Sequence, residues 1–199
     1  MTENVTIAYK LTTIEEHRDF LLKVITSAQE RVLIISPCLV HENVTYMGKI
    51  IGQIDAAVKR GVIISIYTDY KLNCIGGELR PAAMDGIAIL TQAGAQVYVI
   101  DGTNKKVLAR DFDLIAENGC FHWLSIIQNQ NNGHTLNSAT SVHTSTEALG
   151  RIKEWYAKFD GHPAKPAFYK PTSKLKETIT NVFARLKYVP DNYSSRTDL

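Results

Sequence analysis

The run Arg31-Val-Leu-Ile-Ile-Ser36, stopped by Pro37, and the run Val62-Ile-Ile-Ser-Ile-Tyr67 frame a stretch with helical periodicity. Each run is short, apolar and β-branched, as expected of a strand buried on both faces. Between them Ile50, Ile51, Ile54, Ala57 and Val58 recur on one helical face, and Gly61 follows at a position suited to a left-handed cap. A strand, a helix and a strand in this order favour parallel pairing through a right-handed crossover. The fold class expected is therefore α/β.

Working outward, Thr12 or Thr13 caps an earlier helix, with Glu15 and Glu16 placed for a capping box and Phe20, Leu21, Val24 and Ile25 on its apolar face. Residues 68–81, with Gly76-Gly77, read as a polar loop. A third helix over 82–93 is closed by Gly94, and Gln96-Val-Tyr-Val-Ile100 is a third strand. Residues 106–110 and 113–117 read as two neighbouring short strands. Residues 129–133 form a polar loop, and 138–144 a further strand with Val142 inward. Ser145 or Thr146 caps a helix carrying Leu149, Ile152, Trp155 and Tyr156. The sequence divides into a domain over 1–160 and an arm over 161–199. The arm has prolines at 163, 166 and 171, then an amphipathic helix over 172–187 bearing Leu175, Ile179, Val182, Phe183 and Leu186.

The 199 residues suffice for one domain with its own core. A net charge of +2 argues against a strongly basic nucleic-acid coat. Cys38, Cys74 and Cys120 are odd in number and widely spaced, which disfavours a cysteine zinc site and suits reduced thiols. Residues 1–10 lack the apolar core of a signal peptide, and no apolar run reaches the roughly 20 residues of a membrane span. A cytoplasmic protein without a transmembrane segment is expected.

The chemistry-bearing segment is Asn104-Lys-Lys-Val-Leu-Ala-Arg-Asp111, followed by Gly119-Cys-Phe-His-Trp-Leu-Ser125. It resembles the phospholipase D superfamily, whose signature is His-x-Lys-x-x-x-x-Asp followed by Gly-Ser-x-Asn. One branch continues Gly-Ser-Phe-Asn-Trp-Leu-Ser, matched here at Gly119, Phe121, Trp123, Leu124 and Ser125. Lys106 and Asp111 stand at the signature's lysine and aspartate. The resemblance spans about residues 11–155. It implies a phospholipase D-like sandwich with a mixed, mostly parallel sheet and helices on both faces.

The resemblance also implies a reaction. A histidine attacks phosphorus, a second histidine protonates the leaving alcohol, and lysine, asparagine and serine donors hold the non-bridging oxygens. It implies no cofactor and no metal. A chain with one motif carries half a site, so a homodimer with two motifs at its two-fold axis is expected. This sequence departs from the signature at the atoms that react. Asn104 occupies the histidine position, His122 the asparagine position and Cys120 the serine position. In Asn137-Ser-Ala139, alanine replaces the glutamate that orients the histidine. An amide neither attacks phosphorus nor titrates as an acid.

The expected site is thus Lys106 and Asn104 for phosphate, with His122 the one candidate catalytic group and Asp111, Cys120, Ser125 and Asn137 in support. Three readings follow: an impaired enzyme that dimerises and binds a phosphodiester, in nucleic acid or phospholipid; an active metal-independent phosphodiesterase or nuclease using His122; and a protein-interaction module acting through 172–187. His134 and His143 fit no metal spacing, and strand alternation turns Lys105 away if Lys106 points inward. Cys38 reads as a small buried side chain at a strand end. Lys165, Lys170, Lys174 and Lys176 make the arm basic.

Overall fold

The structure, a computed structural model, describes residues 9–39, 44–124, 135–160 and 165–166. In chain order the elements are β1 (Tyr9–Thr13), α1 (Ile14–Ser27), β2 (Arg31–Ile35), α2 (Val44–Lys59), β3 (Ile63–Asp69), β4 (Cys74–Ile75), β5 (Glu78–Leu79), α3 (Pro81–Gln92), β6 (Gln96–Ile100), β7 (Val107–Arg110), β8 (Leu114–Glu117), β9 (Thr135–Thr144), α4 (Ser145–Asp160) and β10 (Lys165–Pro166). Eight of the strands form one sheet in the order β1-β9-β8-β7-β2-β3-β6-β10.

The two runs quoted first lie side by side in parallel, Ile34 opposite Ile66, and β6 extends the parallel part on the far side of β3. The neighbours β7, β8, β9 and β1 continue the sheet antiparallel, and β10 adds an antiparallel edge beside β6. The sheet is mixed, with its parallel part confined to β2, β3 and β6. That confinement follows from connection length: β7 and β8 are joined by too few residues for a crossover, which parallel pairing requires.

Helices cover both faces. On one, Val32, Ile34, Ile64 and Ile66 meet the apolar stripes of α1, α2 and α3. On the other, Leu33, Ile35, Val107 and Ile115 meet Ala148, Ile152 and Phe159 of α4. Alternate residues of β2 thus serve two cores, which is why its sequence is apolar without interruption. Each such side chain contributes about 1.5–3 kcal/mol on burial.

The α1 cap forms as read. The Glu16 amide donates to Thr13 Oγ1 at 3.2 Å, and the Glu16 carboxylate accepts the Thr12 and Thr13 amides at 2.6 and 3.0 Å. Those backbone donors, Thr12 first, hold the Glu16 carboxyl below its ordinary value. The stretch read as a polar loop is more ordered than composition suggests. β3 runs on to Asp69, a short 3-10 turn spans Lys71–Asn73, and β4 and β5 make a hairpin. Its two turn residues, Gly76 and Gly77, have φ of 62° and 87°, the left-handed pair that this tight hairpin turn demands. Two further strands were not expected: β1, whose polar residues gave no strand signal, and β10, which lies in the proline-bearing arm. The loop at 129–133 and the helix at 172–187 lie outside the described residues.

Asp111 follows β7 with φ 46°, a left-handed conformation that aspartate tolerates better than most residues. Its carboxylate accepts the amides of Glu30 at 2.7 Å, Arg31 at 2.9 Å and Gln29 at 3.1 Å. Burial alone would raise its pKa, but those three donors and the Arg110 charge outweigh it and hold the carboxyl below its ordinary value. The signature's aspartate therefore fastens the β7–β8 turn to the start of β2, at the end of β7 remote from Lys106. Asp111→Asn, which keeps the backbone conformation accessible, should lower unfolding stability by roughly 1.5–3 kcal/mol in urea titrations.

Candidate functional site

At the carboxyl ends of the parallel strands the chain must turn away, leaving backbone groups without ladder partners. Buried polar side chains meet that need. The Asn73 side chain, wholly buried, donates to the carbonyls of Pro37 at 2.7 Å and Asp69 at 2.6 Å, and accepts the Leu39 amide at 2.9 Å. Asp69, also buried, accepts the Leu72 amide at 2.9 Å and the Thr103 amide at 2.7 Å. The second bond fixes the start of the 103–106 segment, which delivers Asn104, Lys105 and Lys106 to the edge formed by the carboxyl ends of the parallel strands.

The segment after β8 is fixed as tightly. An ideal Cβ on Gly119 would lie 1.9 Å from Thr140 Oγ1 and 2.9 Å from Thr140 Cα, so no side chain fits there. Thr140 Oγ1 in turn lies 2.6 Å from His17 Nε2, while His17 Nδ1 lies 2.6 Å from the Thr13 carbonyl. A carbonyl only accepts, so Nδ1 carries the proton and Nε2 accepts from the threonine hydroxyl. Burial holds the His17 pKa below its ordinary value, against the opposing effect of the Thr13 carbonyl, and the ring stacks on Phe121 at 4.5 Å. His17 is a neutral structural pin that its place on an apolar helix face concealed. Phe121 and Trp123 are buried, and the Leu124 amide donates to Ser36 Oγ at 3.1 Å.

His122 is held between these anchors. Its pKa is lowered to about 4, first by burial and then by the Lys106 charge. At neutral pH the imidazole is uncharged, and its buried Nδ1 has no hydrogen-bond partner among the described residues. Lys106 Nζ donates to the Asn104 carbonyl at 3.2 Å. Burial pushes the Cys38 thiol up; the charges of Arg80 and Lys106 pull it the other way without offsetting that. Lys106 therefore stands electrostatically close to both His122 and Cys38, with Arg80 on the same thiol. Arg80 was not read from the sequence; its place before Pro81 marks only a helix start.

On the α4 side of the same edge lies a cleft of about 210 Å³, lined by Asn104, Lys105, Lys106, Val107, Glu117, Asn118, Gly119 and Trp155. Asn104 and Lys106 line it as a pair. His122 is not part of its wall, and Lys105, expected to turn away, is. Lys106 precedes the first residue of β7, so strict strand alternation does not govern it or Lys105. Of the supporting residues, Cys120 donates its thiol to the Ser138 carbonyl at 3.4 Å, Asn137 falls on β9, and Ser125 and His134 lie outside the described residues. Among the described residues no group of three or more His, Cys, Asp or Glu is placed to hold a metal ion, and no helix is long and apolar enough to cross a membrane.

No protein-family model matches the chain, and no curated protein sequence matches it. Solved structures do. Nuc from Salmonella typhimurium, a phospholipase D family member, superposes with a TM-score of 0.61 at 16% identity, over 81% of this chain and 99% of that one. NucT from Helicobacter pylori gives 0.61 at 20% identity with the same coverage. A phosphatidylserine synthase from Haemophilus influenzae Rd KW20 gives 0.58 at 11% identity, over 90% of this chain and 43% of that one. The chain shares the fold of these structures, Nuc among them a phospholipase D family member.

The His122 environment has a measurable signature. Its folded pKa, about 4, lies below the ordinary 6.5, so between these values the unfolded chain binds a proton that the folded chain does not. Stability is then full above about pH 6.5 and falls as pH drops towards 4, by an amount on the order of 2–3 kcal/mol from this residue. His17 adds in the same direction. NMR titration should place the His122 ring near pH 4, and His122→Gln should flatten the acid limb of a pH–stability curve.

Proposed function

We propose that this chain is a phosphodiester-binding protein of phospholipase D-like fold whose catalytic centre is impaired, and that it acts as a homodimer. The observation that carries the reading is an uncharged, weakly basic His122 in the field of Lys106, a lysine that shares its cleft with the non-nucleophilic Asn104. Loss of a nucleophile costs on the order of 10^6 in rate where it has been measured in proteases. Near neutrality the ring is not an imidazolium and so has no acidic proton for a leaving alcohol, and a base this weak is a poor attacker. Binding has the opposite outlook. Lys106 makes no ion pair among the described residues, and Arg80 adds a second charge nearby. Lys106, which donates to the Asn104 carbonyl, keeps further N–H groups for the non-bridging oxygens of a phosphodiester, whereas Arg80 is already engaged with the Leu72 carbonyl.

The homodimer follows from the single motif: half a site becomes whole when a second Lys106 faces the first across a two-fold axis. One observation favours the rival reading of an active enzyme, since the uncharged imidazole is the form that attacks phosphorus. The experiment separates the two.

Wild type should bind an anionic phosphodiester and hydrolyse bis-p-nitrophenyl phosphate negligibly, with or without chelator. Lys106→Ala should weaken binding about tenfold or more, and His122→Ala should leave turnover unchanged. Light scattering should give a two-chain particle. Substantial chelator-resistant turnover that disappears in His122→Ala would establish the active phosphodiesterase instead.

A further inference from the structure

The cleft beside Lys106 supports an inference that rests on the phosphodiester-binding reading and narrows it. We infer that this cleft is a nucleoside subsite, so that the ligand is a single-stranded nucleic acid rather than a phospholipid. The lining is the first reason. Asn104 and Asn118 offer amides that donate and accept, Lys105 and Lys106 offer charge, and the apolar surface comes from Val107 and the Trp155 indole. Acyl chains need a continuous apolar wall, which these residues do not form. The exposed Leu72 and Ile75 belong to the β4–β5 region and do not line the cleft.

The second reason is preorganisation. Trp155 Nε1 donates to Glu117 at 3.0 Å, and Phe159 lies parallel to the indole at 6.0 Å. The ring is thus held before any ligand arrives; the exposed Lys158 ammonium lies 5.0 Å over it, on a flexible stem that an incoming base must displace. A fixed indole beside hydrogen-bonding amides suits an unpaired base, which stacks whatever its identity. The third reason is charge. Glu117, the carboxylate in the wall, accepts from both Arg151 and Trp155. Its charge is already met, so it presents little repulsion to a phosphate. Lys106 and Trp155 line the same cleft, so a nucleoside joined to a phosphate at Lys106 would occupy the space that Trp155 walls.

The test compares an oligothymidylate, an abasic oligonucleotide of equal length and anionic phospholipid vesicles at one fixed salt concentration. The chain has two tryptophans, and Trp123 is buried, so a ligand-induced fluorescence change reports Trp155. The oligothymidylate should bind roughly tenfold or more tightly than the abasic strand and quench that fluorescence. Asn118→Gly, which suits the φ of 64° at this position, and Trp155→Leu should each shrink the preference for bases. Lys105→Ala should weaken both strands alike and reduce their salt dependence. The wild-type comparison needs no variant to fold. Equal affinity for the two strands, or tighter binding to vesicles, would overturn the nucleoside assignment and leave phosphodiester binding standing. Binding of none of the three would overturn both.

Discussion

The amide of Asn73 holds together the end of the sheet at which the candidate site lies. One side chain closes the backbone after β2, through Pro37 and Leu39, onto the end of β3 at Asp69. Its two donors and its acceptor oxygen are all engaged, so its burial carries no unmet polar group. Asp69, held in this way, accepts the Thr103 amide and so sets where the next loop begins. Remove the amide and three segments lose their common reference: the turn after β2, the turn after β3 and the approach to Lys106.

A second scaffold, independent of the first, positions His122. Gly119 rests against Thr140, Thr140 bonds His17, and His17 stacks on Phe121. The two scaffolds meet at the Leu124–Ser36 bond. Lys106 and His122 are therefore brought together by different parts of the chain. Their relation is unfavourable in one respect: the ammonium lowers the basicity of the imidazole and keeps it uncharged. An anion bound at Lys106 would relieve that effect, so ligand binding and His122 protonation favour one another by linkage.

Much of the fold was legible because it is written in periodicities. The apolar runs of β2, β3 and β6, the α1 capping box and the stripe of α2 all signal themselves locally, and the three strands appear within two residues of their expected bounds. What escaped reading is held by contacts between distant residues. Nothing in the sequence around Asn73 or Asp69 says that they are buried, and Asp111 discloses its three amide partners only once residues 29–31 lie beside it. The site was legible as a set of residue types but not as an arrangement. Lys105 and Lys106 lie just outside the strand that would have fixed their directions, and Arg80 and Trp155 come to the edge from elements with no motif of their own.

The two borders of the large sheet are formed by segments from opposite ends of the described chain. β1 covers the outer side of β9, and β10 covers the outer side of β6. Neither cover is long, and β10 contains a proline, which offers no amide to a further strand. They act as selvedges on a woven cloth: small, contributing little to the two cores, yet keeping the fabric from joining its neighbour. Trimming the chain to Ile14–Asp160 would keep most of both cores, at the loss of Leu11 and the Thr13 cap, and uncover a ten-residue strand on one side and β6 on the other. Such a fragment would trade solubility for size, since a bare strand edge is a template for another chain.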